Sequence, residues 1–346
     1  MTSNPPTAET ETKPRIYIHR MADWYHLYMN QENEAALGSF SEVISDGLCN
    51  TPLSAGTLVN RIRGCSAILS LGGGGSHEIT AEVLKAAGTV KVICIAHWCE
   101  QMVEAAKGAN VTVTEGSNAN TVAVAEWTVT SALMGVRKLH VFDKALKSGA
   151  PWGEPRRAVG LFCESTVGIV GLGRIGVHCA QYFQALGARV IAYDPYWTTE
   201  RAAALGATLV PLDELMRTAT VISLHLPVTD GTRGMLGARE FALIRDGAVF
   251  INSARAALYD ENALIAELRK NRFTAFIDVF SQEPAALDHP FRSMENVVIS
   301  PHIAGDNSAM FLRCGREAVE TLRLYFAGKG LRNLKYTYEP VSTQGS

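Results

Sequence analysis

Short apolar runs alternate with helical patterns over most of the chain, an order typical of α/β domains with parallel sheets. In the first third, strands are predicted at residues 15–19, 67–71 and 90–96, and a helix at residues 79–87. A stronger series follows, with strands predicted at residues 166–170, 190–193, 221–224, 248–252, 274–279 and 296–299. Helices predicted at residues 175–186, 200–205 and 261–270 connect some of these strands. The series therefore predicts a doubly wound sheet of at least five strands.

The segments outside these two series carry other patterns. Residues 121–147 are rich in Ala and Val and contain no Pro, which predicts one long helix with Asn120 as its N-cap. Residues 149–160 hold two prolines and three glycines and are predicted to form a loop, and a final helix is predicted at residues 308–326. Both ends, residues 1–14 and 336–346, are predicted to be loose tails.

Composition narrows the class of protein. The 346 residues, 47% of them hydrophobic, suit two domains better than one. The formal net charge is -2 without a basic block, which argues against a nucleic-acid partner, and no apolar run is long enough to predict a membrane span. The seven cysteines are scattered and form no CxxC pair, which predicts reduced thiols in the cytoplasm rather than disulfides or a zinc site.

A glycine-rich turn, Gly171-Leu-Gly173-Arg-Ile-Gly176, follows a predicted strand and opens a predicted helix. In that context the first glycine makes the tight turn, the second lets the backbone approach a pyrophosphate, and the third lets the helix pack closely on the strand. Backbone N–H groups near Arg174 and Ile175 would face the phosphates. The motif predicts a dinucleotide site, and the alternative is a tight turn with no ligand.

Asp194 ends the next predicted strand, 23 positions after Gly171. A carboxylate there can accept hydrogen bonds from both ribose hydroxyls and would repel the extra phosphate of NADP. The expected cofactor is therefore NAD. The alternative is that Asp194 only caps a helix.

Three further segments stand at strand ends, where ligand groups collect in open α/β sheets. They are residues 251–255 (INSAR), 278–284 (DVFSQEP) and 300–305 (SPHIAG). Hydride transfer to a 2-keto acid needs a cation for the carboxylate, an acid for the hydroxyl proton, and a carboxylate beside that acid. Arg255, His302 and Glu283 have these three chemistries. Taken singly, each residue also fits a non-catalytic role, as a surface arginine, a structural histidine or a solvated glutamate. Their combination favours the catalytic interpretation.

These motifs together resemble those of the D-isomer-specific 2-hydroxyacid dehydrogenases, the family that includes glycerate, D-lactate and phosphoglycerate dehydrogenases. The resemblance runs from about Asn118 to Gly305 and covers VAVAEW, VGIVGLGRIG, YDP, HLPVTDGT, NSAR, DVFSQEP and PHIAG. It implies that Arg255 binds and orients the substrate. It also implies that His302, supported by Glu283, donates the proton in keto-acid reduction.

The resemblance further implies a set of cofactor contacts. Asp278 would accept a hydrogen bond from the nicotinamide carboxamide, while Pro227 and Thr232 would lie along the cofactor. The whole expected set is Gly171, Gly173, Arg174, Ile175, Gly176, Asp194, His225, Leu226, Pro227, Thr232, Ser253, Ala254, Asp278 and Gly305.

Two doubly wound parallel-sheet domains are also implied, the larger a Rossmann NAD-binding domain. The substrate domain would comprise residues 15–118 and 306–335, and the Rossmann domain residues 119–305, with hinges near Asn118 and Ala304. Members of the family commonly dimerise through the cofactor domain and its long helix, so a homodimer is expected.

One loop departs from the family pattern. Where the family has a glycine-rich loop whose amides help to hold the substrate carboxylate, this chain has the glycine-free stretch 97–101, HWCEQ. One hypothesis is that His97 and Trp98 line a reshaped pocket suited to an aromatic or otherwise unusual acid. A second is that the run at 72–75, with Gly73 and Gly74, supplies the missing N–H groups. The alternatives are ordinary packing for Trp98 and a flexible loop for the glycines.

Two other functions stay open beside the 2-hydroxyacid dehydrogenase. One is a dehydrogenase on the same scaffold that acts on a different small anion, such as phosphite or formate. The other is a non-catalytic NAD(H)-sensing protein that resembles the transcriptional corepressors with this fold, since those proteins can retain the same three residues. Fold alone does not decide between them.

Overall fold

The computed structural model describes residues 12–19, 23–97, 99–116, 119–152 and 159–330, together with the backbone of residues 334–336. The chain divides into two compact units, one of Met1–Ala119 with Ser308–Ser346 and one of Asn120–Asn307. The predictions for Trp98, for the hinge at Asn118, for most of both tails and for the middle of the 149–160 loop concern residues outside those described.

The first unit contains a sheet of five parallel strands with an antiparallel strand at one edge. Its strands are β1 (Arg15–Ile18), β2 (Glu42–Ser45), β3 (Ala67–Ser70), β4 (Val92–Ile95), β5 (Thr112–Glu115) and β13 (Leu334–Tyr336). They lie in the order β2-β1-β3-β4-β5-β13, and β13 is the antiparallel strand. The strand order reverses between β1 and β3, and the carboxyl ends at such a reversal are the usual place for a ligand in open α/β sheets.

Helices pack around this first sheet. They are α1 (Tyr25–Tyr28), α2 (Gln31–Phe40), α3 (Ala55–Ile62), α4 (Ala81–Ala87), α5 (Glu100–Ala109) and α13 (Ser308–Phe326). Side chains fix several helix starts: Asn30, Ser54 and Thr80 each accept a hydrogen bond from a first-turn N–H of the helix that follows. Strands β3, β4 and β5 are buried along their whole length, as expected for a parallel sheet covered on both faces.

The second unit contains a seven-stranded parallel sheet within the described residues. Its strands are β6 (Thr166–Val170), β7 (Arg189–Tyr193), β8 (Ala207–Leu209), β9 (Val221–Leu224), β10 (Val249–Asn252), β11 (Thr274–Ile277) and β12 (Val297–Ile299). The order β8-β7-β6-β9-β10-β11-β12 is that of a Rossmann sheet with one added strand. The predicted fold class, two parallel-sheet α/β domains of which the larger is a Rossmann domain, is therefore confirmed.

Helices of the second unit cover both faces of its sheet. They are α6 (Asn120–Arg137), α7 (Leu139–Lys147), α8 (Arg174–Ala185), α9 (Thr199–Ala204), α10 (Leu212–Thr218), α11 (Ala238–Leu243) and α12 (Glu261–Leu268). Two apolar clusters form the core, one containing Phe241, Phe250 and Leu264 and the other Phe183, Val167 and Ile251. No helix in the described parts of the chain is both long and apolar enough to cross a bilayer.

The long helix predicted at residues 121–147 is wrong in two respects. It breaks at Lys138, which has a left-handed φ of 51°, and Asn120 is the first residue of α6 rather than its N-cap. A periodic pattern does not reveal the break, because α7 carries an amphipathic repeat of its own. The ring of His140, on α7, still packs 5.4 Å from that of Phe276.

Three smaller predictions are also corrected. The helix predicted at 79–87 begins at Ala81, because Thr80 caps it. The loop assigned to residues 97–101 is shorter, since α5 already begins at Glu100, a residue type favoured in a first helical turn. Tyr336, assigned to a loose tail, belongs to strand β13.

Candidate active site

The glycine-rich turn lies between β6 and α8, where the sequence predicts it. Gly171 has a φ of 99°, and a Cβ atom on it would lie 2.8 Å from the side chain of Leu226 and 3.0 Å from the backbone of His225. A Cβ atom on Gly176 would overlap the carbonyl oxygen of Gly171. Only glycine fits these positions, so the turn leaves its backbone open next to the first N–H groups of α8.

Asp194 directly follows β7, and its carboxylate lies beside the glycine turn. One oxygen, Oδ2, accepts a hydrogen bond of 2.8 Å from the N–H of Leu172, and Oδ1 accepts one of 2.9 Å from the N–H of Tyr196. A carboxylate has about four acceptor positions, so two remain for ribose hydroxyls.

The segment after β9 forms the wall next to Gly171. The N–H of His225 donates to the carbonyl of Val170 over 2.8 Å, and its ring is buried against the hydroxyl of Ser223 at 2.9 Å. Burial lowers the pKa of His225 to about 4, so its ring is neutral at physiological pH. Thr232 closes the loop by donating its hydroxyl to the carbonyl of Pro227 over 2.6 Å.

Arg255 stands in the loop after β10, and the buried side chain of Asn252 shapes this loop. The Oδ1 atom of Asn252 accepts from the N–H of Ala254 at 2.9 Å, and its Nδ2 atom donates to the carbonyl of Arg255 at 3.0 Å. The Ser253 hydroxyl contacts that of Thr128 at 3.3 Å. Arg255 is exposed, and no acidic side chain of the described residues forms an ion pair with it. Its guanidinium is therefore available to an anion.

His302 and Glu283 form a direct pair. The Nδ1 atom of His302 lies 2.7 Å from Oε2 of Glu283, and Oε1 of Glu283 accepts from the N–H of Phe280 at 2.9 Å. Partial burial would raise the pKa of Glu283, but the hydrogen bonds from His302 and Phe280 and the charge of Arg255 hold that pKa below its ordinary value. Because Nδ1 donates to a carboxylate, the Nε2 atom of His302 is the one left to exchange a proton.

Replacing Glu283 with Gln is expected to move the alkaline limb of the pH–rate profile for reduction about one pH unit lower, because the charge that favours a protonated partner is lost. Because the pKa of Glu283 is lower in the folded protein than in the unfolded chain, its ionised form stabilises the fold. This contribution to the free energy of unfolding is fully present above about pH 4.3, the ordinary pKa of glutamate, and is lost as the pH falls. The difference in Tm between the two proteins should therefore shrink on acidification. A Tm difference that grows on acidification would contradict a stabilising role of ionised Glu283.

The backbone of His302 is held in an unusual conformation by Asp278. His302 has a φ of 56°, a left-handed value that is uncommon outside glycine, and its N–H donates to the carbonyl of Asp278 at 2.8 Å. The Asp278 carboxylate is fully buried and accepts from the hydroxyl of Ser300 at 2.5 Å and from the N–H groups of Ile303 and Ala304 at 2.9 and 2.8 Å. Asp278 thus anchors the loop that carries His302.

Gly305 ends this loop against the start of α6. A Cβ atom on Gly305 would overlap the side-chain amide of Asn120. The glycine is therefore required by this close approach within the second unit.

In the first unit, the other predicted site residues lie at the carboxyl ends of two neighbouring strands. The 72–75 glycine run follows β3, with left-handed φ values at Gly72, Gly73 and Gly75, and the ring of His19 contacts the carbonyl of Gly75 at 3.1 Å. His97 follows β4, while Trp98 is outside the described residues. Gly74 lies within the glycine run.

Aromatic rings surround this edge of the first unit. Phe311, on α13, lies 5.2 Å from Tyr28 and 6.2 Å from each of Trp24 and His97, measured between ring centroids. Tyr28 and Phe311 are buried, whereas Trp24 is 48% exposed. No sequence pattern connects Trp24 and Tyr28 with Phe311, because Phe311 comes from a distant segment of the chain.

Comparison with known proteins agrees with this geometry. The family model described as "D-isomer specific 2-hydroxyacid dehydrogenase, NAD binding domain" matches residues 129–304, which lie within the second unit. D-3-phosphoglycerate dehydrogenase of Archaeoglobus fulgidus is 33% identical over 260 residues, covering 74% of this chain and 49% of that protein. Glyoxylate reductase of Aeropyrum pernix is 34% identical over 239 residues, covering 67% of this chain and 71% of that protein. The crystal structure of a phosphoglycerate oxidoreductase from Rhizobium etli has a TM-score of 0.78 and 26% identity, covering 95% of this chain and 100% of that one.

These matches identify the family of the chain. The chain spans about half the length of the phosphoglycerate dehydrogenases that it matches, but 71% of the glyoxylate reductase. Sequence, fold and family model agree over the unit that carries the glycine turn and the His302–Glu283 pair. The chain belongs to the D-isomer specific 2-hydroxyacid dehydrogenase family, and its second unit is the NAD-binding domain of that family.

Proposed function

We propose that the protein is an NAD-dependent dehydrogenase that transfers a hydride between nicotinamide and C2 of a D-2-hydroxy acid or the corresponding 2-keto acid. The observation that carries the proposal is the His302–Glu283 hydrogen bond of 2.7 Å in the same unit as the exposed Arg255 and the glycine turn. A nicotinamide oxidoreductase for a hydroxy acid needs these groups: an acid/base, a cation and a dinucleotide cradle.

The proposed mechanism assigns one task to each residue. Arg255 holds the substrate carboxylate in a bidentate manner and polarises the keto oxygen. His302 gives its Nε2 proton to that oxygen in reduction and takes the proton back in oxidation, while Glu283 stabilises the charged imidazole through Nδ1. NADH, held at the Gly171–Gly176 turn, would supply the hydride for C2, and NAD would accept it in the reverse direction.

Cofactor binding is proposed for the set expected from the sequence. The open backbone around Gly171, Gly173 and Gly176 suits a pyrophosphate, because a Cβ atom at the first and third positions would fill the turn. The carboxylate of Asp194 beside that turn supports NAD over NADP, since it would repel a 2′-phosphate. Asp278 is already committed to the His302 loop, and a carboxamide contact would use a remaining acceptor position.

Substrate contacts in the first unit are a further part of the proposal. The backbone of Gly73 and Gly74 is proposed to hold an anionic group, and His97 and Trp98 to shape the pocket. The aromatic cluster around Phe311, with half-exposed Trp24, supports an acid with an aromatic or large apolar side chain, because aromatic rings pack favourably against one another.

The test is NADH oxidation, followed by the absorbance of the reduced nicotinamide, with glyoxylate, hydroxypyruvate, pyruvate, phenylpyruvate and a branched 2-keto acid. Turnover of any of these acids supports the reaction class, and phenylpyruvate is expected to rank first. NADH binding without turnover would favour the NAD(H)-sensing alternative. Turnover of phosphite or formate with NAD, but of no acid in the set, would favour the other-anion alternative.

A homodimer and a cytoplasmic location complete the proposal. Helix α7 has no buried residue, and its apolar side chains Leu139, Val141 and Leu146 are exposed, as suits a surface that a second copy covers. The seven cysteines all lie in the described residues and form no disulfide there, which suits a reducing compartment. Light scattering of the purified chain tests the homodimer, and a measured mass equal to that of a single chain would contradict it.

A further inference from the structure

A second cluster of polar side chains lies behind the loop that carries Glu283. Glu261, at the start of α12, accepts the hydroxyl hydrogen bond of Ser281 on Oε1 at 2.5 Å, and Oε2 accepts from the N–H of Ser281 at 3.4 Å. The Nε2 atom of His289 lies 3.3 Å from the same Oε1. Both Glu261 and His289 are largely buried, at 18% and 13% side-chain exposure, so one carboxylate joins two separate parts of this loop to a helix.

The state of His289 follows from its neighbours. Its Nδ1 atom accepts from the N–H of Phe291 at 3.3 Å, so the ring proton resides on Nε2, which donates to Glu261. The ring packs against Phe280 and Phe291, with centroid distances of 5.3 and 4.8 Å. His289 is therefore a well-packed support for the Glu261 carboxylate.

The cluster connects to the proton-transfer pair through one peptide group. The N–H of Phe280 donates to Oε1 of Glu283, and the next N–H along the chain, that of Ser281, points to Glu261. The short segment of Phe280 and Ser281 is thus held between two carboxylates. With Oε1 of Glu283 occupied in this way, its Oε2 is directed to His302.

We propose that Glu261 is a positioning residue for proton transfer: by holding Ser281 and His289, it fixes the Phe280 N–H that orients Glu283 toward His302. The proposal rests on the proposed function. Glu261 is not needed to start α12, because the side chain of Asp260 caps that helix by accepting from Ala263. Nor does it belong to the apolar core, which α12 reaches through Leu264 and Leu268.

The test replaces Glu261 with Gln, which has one acceptor oxygen and cannot serve all three donors. We expect kcat for 2-keto acid reduction to fall about tenfold, as for other supporting groups around a site. KM and the Kd for NADH should change less than about twofold, since neither Arg255 nor the glycine turn is touched. The alkaline limb of the pH–rate profile should move lower. Glu164→Gln, an exposed carboxylate elsewhere in the same unit, is the matched control.

A second readout separates this proposal from the proposed function. The Nδ1 proton of His302, held by Glu283, is expected to give a downfield NMR resonance, and this resonance should shift in Glu261→Gln whether or not the enzyme turns over. An unchanged resonance and pH profile, or a lower Tm as the only effect, would overturn the positioning role. If the wild type reduces no 2-keto acid while the resonance shifts, the proposed function fails and the positioning role stands. If Glu261→Gln does not fold, Ser281→Ala takes its place. This variant removes the hydroxyl hydrogen bond to Glu261, and we expect the His302 resonance to shift in the same direction by a smaller amount.

Discussion

Replacing His302 with Ala is expected to lower the rate of 2-keto acid reduction by about 10²-fold or more, because general acid catalysis typically contributes 10²- to 10⁴-fold. The Nδ1 atom of His302 is held by Glu283 at 2.7 Å, so the ring presents a single nitrogen to the substrate. The binding of NADH should be unchanged, since the glycine turn and Asp194 do not contact His302 in the described hydrogen bonds. Stopped-flow or steady-state NADH oxidation measures the rate, and fluorescence titration measures the binding.

The left-handed backbone of His302 calls for a second variant at the same position. Ala is strained at a φ of 56°, whereas Asn tolerates such values. His302→Asn therefore removes the acid while keeping the loop that Asp278 anchors. Equal losses in the two variants would assign the effect to the missing proton donor; a near-normal rate in His302→Asn would refute that role. His26→Ala, an exposed histidine on α1, serves as the control.

The residues that the sequence identified share one property. They belong to motifs whose flanking residues already predict the strand or helix beside them. Gly171 and Gly176 lie between a strand and a helix that hydrophobic patterns already predict. Arg255, Glu283 and His302 each follow a strand of the same sheet, and parallel strands bring their carboxyl ends to one edge. The structure joins Glu283 to His302 as the motifs suggested.

Two of the residues that the sequence missed act through contacts between distant segments. Ser300 holds the loop of His302 through Asp278, 22 positions away, and Glu261 holds the loop of Glu283 through Ser281 and His289, 20 and 28 positions away. Asn252 instead holds the loop of Arg255 through near neighbours in the chain. A polar residue at the end of a buried strand, as at Asn252, is the one local signal that could have drawn attention to them. No periodicity marks the left-handed φ of His302.

Both short and longer elements of the first unit were missed. The prediction omitted α1, β2 and β5, of 4 residues each, and also helices α2, α3 and α5, of 10, 8 and 10 residues. A strand of four residues such as β5 offers too few positions for a period of two to be distinguished from an irregular segment. The break at Lys138 was missed because the apolar pattern continues from α6 into α7.

Replacing Arg255 with Ala is expected to lower kcat/KM for a 2-keto acid by about 10²- to 10⁴-fold, because two charge-assisted hydrogen bonds are each worth about 1.5–3 kcal/mol. The guanidinium of Arg255 is exposed and donates to the adjacent carbonyl of Ala254 at 2.6 Å, so most of its donors remain available to a substrate. KM should rise along with the loss in kcat, since the carboxylate is held in both the ground state and the transition state.

Arg255→Lys tests whether the geometry of the fork matters as well as its charge. Lysine keeps the positive charge but cannot bind both carboxylate oxygens in one plane, so it should recover only part of the loss. Arg245→Ala is the matched control, because Arg245 is exposed and lies just before β10, at the opposite end of the strand from Arg255. Full activity in Arg255→Ala would show that another group binds the carboxylate, and the backbone of Gly73 and Gly74 would then be the first place to look.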